Sequence, residues 1–222
     1  MEHYLAFLHQ YGPRFVDGTI VTIQQTVFAS LVAIILAFCF GLMRLVPLRI
    51  AQITATIYIE FFRGTSLLVQ LYWIFYVLPL FGITLDKFVA GFLSVGMCLG
   101  AYGAELVRGS IQSVPRGQYE AALALNMSPA KRMMRIIFPQ ALLIMLPAWG
   151  NLLIELLKGT ALVSLISVTD LMFQAKQTNA VTFLSVQNFG TALIIYYLMA
   201  RLVVAPGMRT FESFWARRMG RG

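Results

Sequence analysis

The sequence predicts an all-α integral membrane protein with about five transmembrane helices, and three observations carry that prediction. Of the 222 residues 59% are hydrophobic and only 12% charged, about half the charge that a water-facing domain carries. The apolar residues gather into runs of spanning length. The formal net charge of +8 sits in clusters between those runs, which reads as a topology signal and not as the aromatic-interleaved surface of a nucleic-acid binder. Cys39 and Cys98 fall inside apolar stretches without metal-ligand spacing and behave as small hydrophobes.

The chain opens Met1-Glu2-His3-Tyr4 with no basic n-region, so no cleaved signal peptide is expected. Helix one is predicted over 18–43, the apolar run Val27 to Met43 extended backward by the uncharged stretch Thr19 to Thr26. Helix two is predicted over 64–81, rich in Tyr72, Trp73, Phe75 and Tyr76 and ended by a turn at Pro79 and Gly82; its aromatics read as packing and interface belt. Helix three, over 88–108, is crowded with small residues. Its Gly96 and Gly100 form a G-x-x-x-G, which either marks a face where helices approach closely or arises by chance in a glycine-rich span.

Residues 109–135 are too charged for lipid and form the one long hydrophilic loop. Helix four follows over 136–157, and helix five over 189–207. Between them, 168–188 is mixed and short of a span, and is expected as a partial helix at the membrane surface. With five spans the termini lie on opposite sides. Twelve Lys and Arg, namely Arg44, Arg49, Arg63, Arg108, Arg116, Lys131, Arg132, Arg135, Arg209, Arg217, Arg218 and Arg221, fall on one side. Arg14, Lys87 and Lys176 fall on the other, and Lys158 and Arg201 lie in or near spans. The positive-inside rule then puts the N-terminus outside and the C-terminus and the long loop in the cytoplasm.

That loop reads as two short helices with a hinge. Gly117 frees the entry to the first, Glu120 suits its positive N-terminal end, and Asn126 can take the left-handed conformation that ends it. Ser128 is placed to cap the second, with Pro129 in the first helical position. Met133, Ile136 and Ile137 then share one face, and Lys131, Arg132 and Arg135 the other. An amphipathic helix held in the cytoplasm needs something to dock against.

The stretch resembles the E-A-A loop of permease subunits of binding-protein-dependent ATP-binding-cassette importers, in which E-A-A is followed by three residues, G, nine residues and I-x-L-P. Glu120, Ala121, Ala122, Ile136 and Pro139 match at that spacing, while Asn126 replaces the Gly and Phe138 the Leu. The run Glu60 to Gln70, EFFRGTSLLVQ, is similar to the E-F-F-R-G-T-P-L-L-V-Q signature of the polar amino acid branch. Leu157 to Leu162, LKGTAL, and Ile111 to Pro115, IQSVP, are similar to two further stretches of it.

The resemblance implies the fold of type I (MetI-like) importer permeases in a bacterial inner membrane. It also implies partners: a second permease subunit, identical or paralogous, two cytoplasmic ATPase subunits, and an extracytoplasmic solute-binding protein. ATP and Mg would sit on the ATPase, since this chain has no G-x-x-x-x-G-K-[ST] and is expected to bind no cofactor and do no chemistry. Its role would be path and lever: ATPase closure moves the docked loop, and helices three and four carry the motion to the gates. The branch carries polar amino acids and amino-acid-like zwitterions, including opines and compatible solutes such as ectoine.

Ionisable groups inside spans default to functional hypotheses, and helix four offers Asn151, Glu155 and Lys158. An acid and a base at i, i+3 can either replace the water of a zwitterion or merely neutralise each other. Pro147 and Gly150 weaken the same helix. Gln70 and Thr160 are further candidates for the path, and Glu105 with Arg108 is read as a structural pair. A secondary transporter or a channel subunit not powered by ATP is the alternative, although it would have no use for an E-A-A loop. A membrane enzyme would need the clustered His, Asp or nucleophile that the spans lack.

Overall fold

In the computed structural model residues 2–218 are described, and among them all regular structure is helical. Arg221, the last of the twelve cytoplasmic charges, lies outside the described residues. Helix one begins well before its predicted start. The observed α1 is Glu2–Met43, 42 residues that pass through Pro13; at 1.5 Å per residue it is about 63 Å long, twice a hydrocarbon core of about 30 Å. Hydropathy could not find its first half, because tertiary burial holds it there: Phe7 and Phe15 pack with Leu171, Ala175 and Ala192.

The second correction concerns 44–63, predicted as a loop. It contains α2, Arg49–Gly64, which buries Ala55 and Ile59 and leaves Ile50, Ile53, Ile57 and Phe61 exposed. Gln52, Thr54, Thr56 and Glu60 interrupt its apolar pattern and hid it. After the break comes α3, Leu67–Tyr72, continued by a π turn, Trp73–Val77, and a 3-10 turn, Leu78–Phe81. The two halves are bent by 105°, so helix two is a broken element and not a straight span over 64–81. Among the described residues four helices are long and apolar enough to cross a membrane, and the bent pair makes a fifth if it counts as one span.

Helix three is α4, Lys87–Gln112, started by Asp86, whose carboxylate accepts the Phe88 N–H at 2.8 Å. It is the central helix. Ala90, Val95, Cys98 and Leu99 join Ala29 and Ala33 of α1 in one core, and Val107 and Ile111 join Ala37 in another. At Gly96 α1 comes close: a Cβ there would lie 2.7 Å from Val32 Cβ and 2.9 Å from the Ala29 carbonyl, and at Gly100 it would meet Leu36 and the Tyr58 hydroxyl at 3.1 Å. Gly96→Leu is therefore expected to lose about 1–3 kcal/mol or more to overpacking, read as a lower melting midpoint in detergent. Gly117→Ala, with nothing within 4 Å, should melt like the parent, and equal behaviour of the two variants would sink the close-approach reading.

The loop holds α5, Arg116–Ala124. The second short helix expected in it is not separate: α6, Pro129–Arg132, runs through a π turn, Met133–Ile137, into α7, Phe138–Gly159, and a 3-10 turn, Thr160–Ile166. Helix four is thus one element from Pro129 to Ile166, starting seven residues before its predicted 136. The mixed stretch 168–188 forms α8, Leu171–Thr182. Helix five also exceeds its predicted 189–207. It comprises α9, Ser185–Leu198, a π turn, Met199–Val204, and α10, Ala205–Arg218.

These helices make two levels. At one end α1, α4 and α7 pack around the two cores just described. Beyond the N-terminal end of α4, the first half of α1, α8 and the second half of α9 form a smaller bundle. The loop and this bundle are at opposite ends of the molecule.

Candidate functional site

The loop is a rigid bracket between helices three and four. Tyr119 of α5 donates its hydroxyl to the Ile111 carbonyl in the last turn of α4 at 3.2 Å, and Gln118 accepts a hydrogen bond from Gln140 of α7 at 3.1 Å. Tyr119, Met133 and Ile136 pack on the core formed by Val107, Ile111, Val114 and Ile137. Asn126 takes φ +52° and turns the chain after α5, a conformation that Asn accepts better than other residues with a Cβ. Pro129 opens α6, and Pro139 lies in the first turn of α7. The Arg132 N–H bonds the Ser128 carbonyl at 2.9 Å.

Two details differ from expectation. Ser128 stands at the N-cap but its side chain accepts no cap hydrogen bond. Gly117 lies within the first turn of α5 without a positive φ, so the entry to that helix does not require glycine. Ala122 is fully buried within its own chain, whereas Glu120 and Ala121 are exposed. Leu123 is 59% and Leu125 74% exposed. An acid and two uncovered leucines thus stand at the surface of a short helix that is fixed to two spans.

The second group lies on α7. Asn151, Glu155 and Lys158 are all exposed, and their spacing of i, i+4 and i+7 makes one polar stripe. Leu156 and Leu157, on the other side of the helix, are buried. Lys158 Nζ donates to Glu155 Oε1 at 2.7 Å with both side chains about 60% exposed. The helix runs unbroken through Pro147, and Gly150 admits Met208 of α10, whose Cβ would be 3.3 Å from a Cβ there.

Gln70 and Thr160 are inside the bundle. The Gln70 amide donates to the Phe62 carbonyl at 2.9 Å and the Thr65 hydroxyl at 2.7 Å, which braces the break between α2 and α3. The Thr160 hydroxyl, fully buried, donates to the Leu157 carbonyl at 2.7 Å. Glu105 and Arg108 pair at 2.6 Å, as expected, and Arg44 joins them at 3.4 Å.

Sequence reasoning missed one junction. Asp170, fully buried, caps α8 by accepting the Phe173 N–H at 2.9 Å and takes a hydrogen bond from Tyr196 of α9 at 3.2 Å. Next to it the Leu171 N–H donates to Thr22 of α1 at 3.0 Å. Burial raises the Asp170 carboxyl to about 6, against the hydrogen bonds it accepts from Phe173, Met172 and Tyr196. The sequence signal was present, an Asp just before an apolar residue that starts a helix.

Residues 19–213 match the family of binding-protein-dependent transport system inner membrane components. The chain is similar to a probable amino-acid ABC transporter permease protein of Sinorhizobium fredii, 42% identical over 218 residues that cover 96% of this chain and 91% of the relative. It is 36% identical to an L-cystine transport system permease protein of Bacillus subtilis, over 84% of this chain and 77% of that one. Among solved structures, an amino acid ABC transporter crystallised with histidines superposes with a TM-score of 0.87 at 36% identity, covering 95% of this chain and 97% of the other.

Proposed function

Because the chain belongs to the inner membrane components of binding-protein-dependent transport systems, the permease subunits of ATP-binding-cassette importers, we propose that it lines the path for a polar amino acid or amino-acid-like zwitterion. Members of this family leave ATP hydrolysis to a separate ATPase subunit. The observation that carries the solute reading is the exposed stripe of Asn151, Glu155 and Lys158. A zwitterion brings one carboxylate and one ammonium, and the stripe offers one of each opposite charge within 2.7 Å of the other. The relatives named for amino acids and for L-cystine, and the transporter solved with histidines, support the same class.

The assembly follows from the same reading. Two ATPase subunits seat against α5 of this chain and of a second permease, identical or paralogous, and a solute-binding protein delivers the solute at the opposite end. ATP and Mg stay with the ATPase, and this chain binds no cofactor. Tyr119 and Gln118 couple α5 to α4 and α7, so that a push on the loop moves both helices together.

The orientation proposed has the N-terminus outside and the loop in the cytoplasm, on the asymmetry of twelve Lys and Arg against three. Ala130 is exposed in the loop. A cysteine placed there, in a chain lacking Cys39 and Cys98, should resist an impermeant thiol reagent in intact cells and react after permeabilisation. Labelling of intact cells would reverse the orientation and remove the loop from reach of an ATPase.

A further inference from the structure

Two arginines pair with a single carboxylate near one end of α4, and a third, from another segment, stands one helical turn away. Arg44 follows the last turn of α1, Arg63 sits in the last turn of α2, and Arg108 lies on α4. Glu105 Oε1 is 3.4 Å from Arg44 Nη1, and Glu105 Oε2 is 2.6 Å from Arg108 Nη2 and 3.2 Å from Arg108 Nε. Arg108 Nη1 also donates to Gln112 at 2.8 Å. The Arg63 guanidinium lies 5.5 Å from the centre of the Tyr102 ring, one helical turn from Glu105. Glu60, one turn before Arg63, is in no ion pair among the described residues.

The group has three cations and one anion, a surplus of two positive charges. Of roughly fifteen N–H donors on three guanidiniums, only four are used among the described residues. The Arg44 and Arg108 side chains are only 24% and 28% exposed. Uncompensated charge in a half-sheltered place is costly, and it persists where a counter-charge is at hand.

The depth of the cluster says what that counter-charge is. Lys87 and Arg108 are the cationic residues towards the two ends of α4, and 21 residues of helix put them about 31 Å apart, the thickness of a hydrocarbon core of about 30 Å. Arg108, and Arg44 which shares its carboxylate, are therefore level with headgroup phosphates, and Arg63, against Tyr102, stands one turn of α4 inward of Glu105. Their neighbours on the adjoining surfaces are apolar: Val46 and Leu48 beside Arg44, and Ile57 and Phe61 before Arg63, are 46–65% exposed. A free phosphate gains nothing from those side chains, while acyl chains do.

We propose that Arg44, Arg63 and Arg108 form a receiving site for the phosphate of an anionic lipid headgroup, with Glu105 as the brace that holds Arg44 and Arg108 towards it. This site is separate from the solute path and does not depend on which solute is carried. Basic pockets between spans on the cytoplasmic side are suited to anionic headgroups in general.

The test uses the purified full chain in neutral detergent, with phosphatidylglycerol, phosphatidylcholine or sodium phosphate added. Phosphatidylglycerol should raise the melting midpoint by several degrees and stay bound in native mass spectra, and the other two should not. Arg63→Gln removes a guanidinium that holds no ion pair among the described residues, so the chain should fold and its apparent affinity for phosphatidylglycerol should fall about tenfold or more. Arg49→Gln, outside the cluster, should keep the parent affinity. Protection by sodium phosphate equal to that by phosphatidylglycerol would identify a soluble oxyanion site and overturn the lipid assignment. No preference for phosphatidylglycerol over phosphatidylcholine, or equal losses in Arg63→Gln and Arg49→Gln, would reduce the cluster to an internal ion network.

Discussion

Replacing Glu120 by Lys is expected to cut ATP-driven uptake on the order of tenfold or more, about 1.4 kcal/mol of coupling per tenfold, in a chain that still inserts and folds. Glu120 is exposed, and no ion pair holds it among the described residues. A substitution at such a place usually moves stability by no more than about 0.5 kcal/mol. The anchors of α5, Tyr119 to Ile111 and Gln118 to Gln140, are untouched. What changes is the sign of the charge beside the uncovered Leu123 and Leu125. Normal uptake together with undiminished co-purification of the ATPase would remove Glu120 from the contact. Ala122 behaves differently. It is fully buried in its own chain, so a bulky residue there should unseat α5 and lower the melting midpoint, and its effect on uptake would come through the fold and not through a contact with the ATPase.

The second large effect is expected at Glu155 and Lys158. Their ion pair is about 60% exposed on each side, and exposed pairs are worth about 0–1 kcal/mol. A purely structural pair could then be replaced by Glu155→Gln with Lys158→Met at almost no cost to assembly or transport. If the two groups replace the water around a zwitterion, the double variant should assemble normally and its transport should slow roughly 100-fold or more, since each of the two lost hydrogen bonds to a charged group is worth about 1.5–3 kcal/mol. Uptake at the parent rate in the assembled double variant would return the pair to a structural role. The single variants help less, because each leaves an unpaired charge.

The elements that could be read from the sequence are those whose apolar runs are continuous. The second half of α1, the body of α4 and the core of α7 were all legible, and so was the left-handed turn at Asn126, because few other residues take it without strain. The first half of α1 was not, since Phe7 and Phe15 are buried by α8 and α9, partners 150 and more residues away. Nor was α2, whose polar residues lie between isoleucines that face outward. For the site, the spacing from Glu120 to Pro139 indicated a coupling loop, but not that Ala122 turns inward or that Gln118 and Gln140 bridge the two helices. Asn151, Glu155 and Lys158 could be placed on one helix face. That this face is left open, while the Gln70 amide N–H and the Thr160 hydroxyl are turned to carbonyls and hydroxyls of their own chain, depends on the break at Gly64 to Ser66 and on the 3-10 turn after Gly159, neither of which has a periodic signal.

The most direct measurement is uptake of radiolabelled polar amino acids into proteoliposomes that contain this chain with its ATPase, second permease and binding protein. Accumulation should require ATP and the binding protein, continue when ionophores collapse all ion gradients, and disappear in Glu120→Lys. Accumulation by this chain alone, driven by an ion gradient and indifferent to ATP, would contradict the importer account and make the chain a secondary transporter.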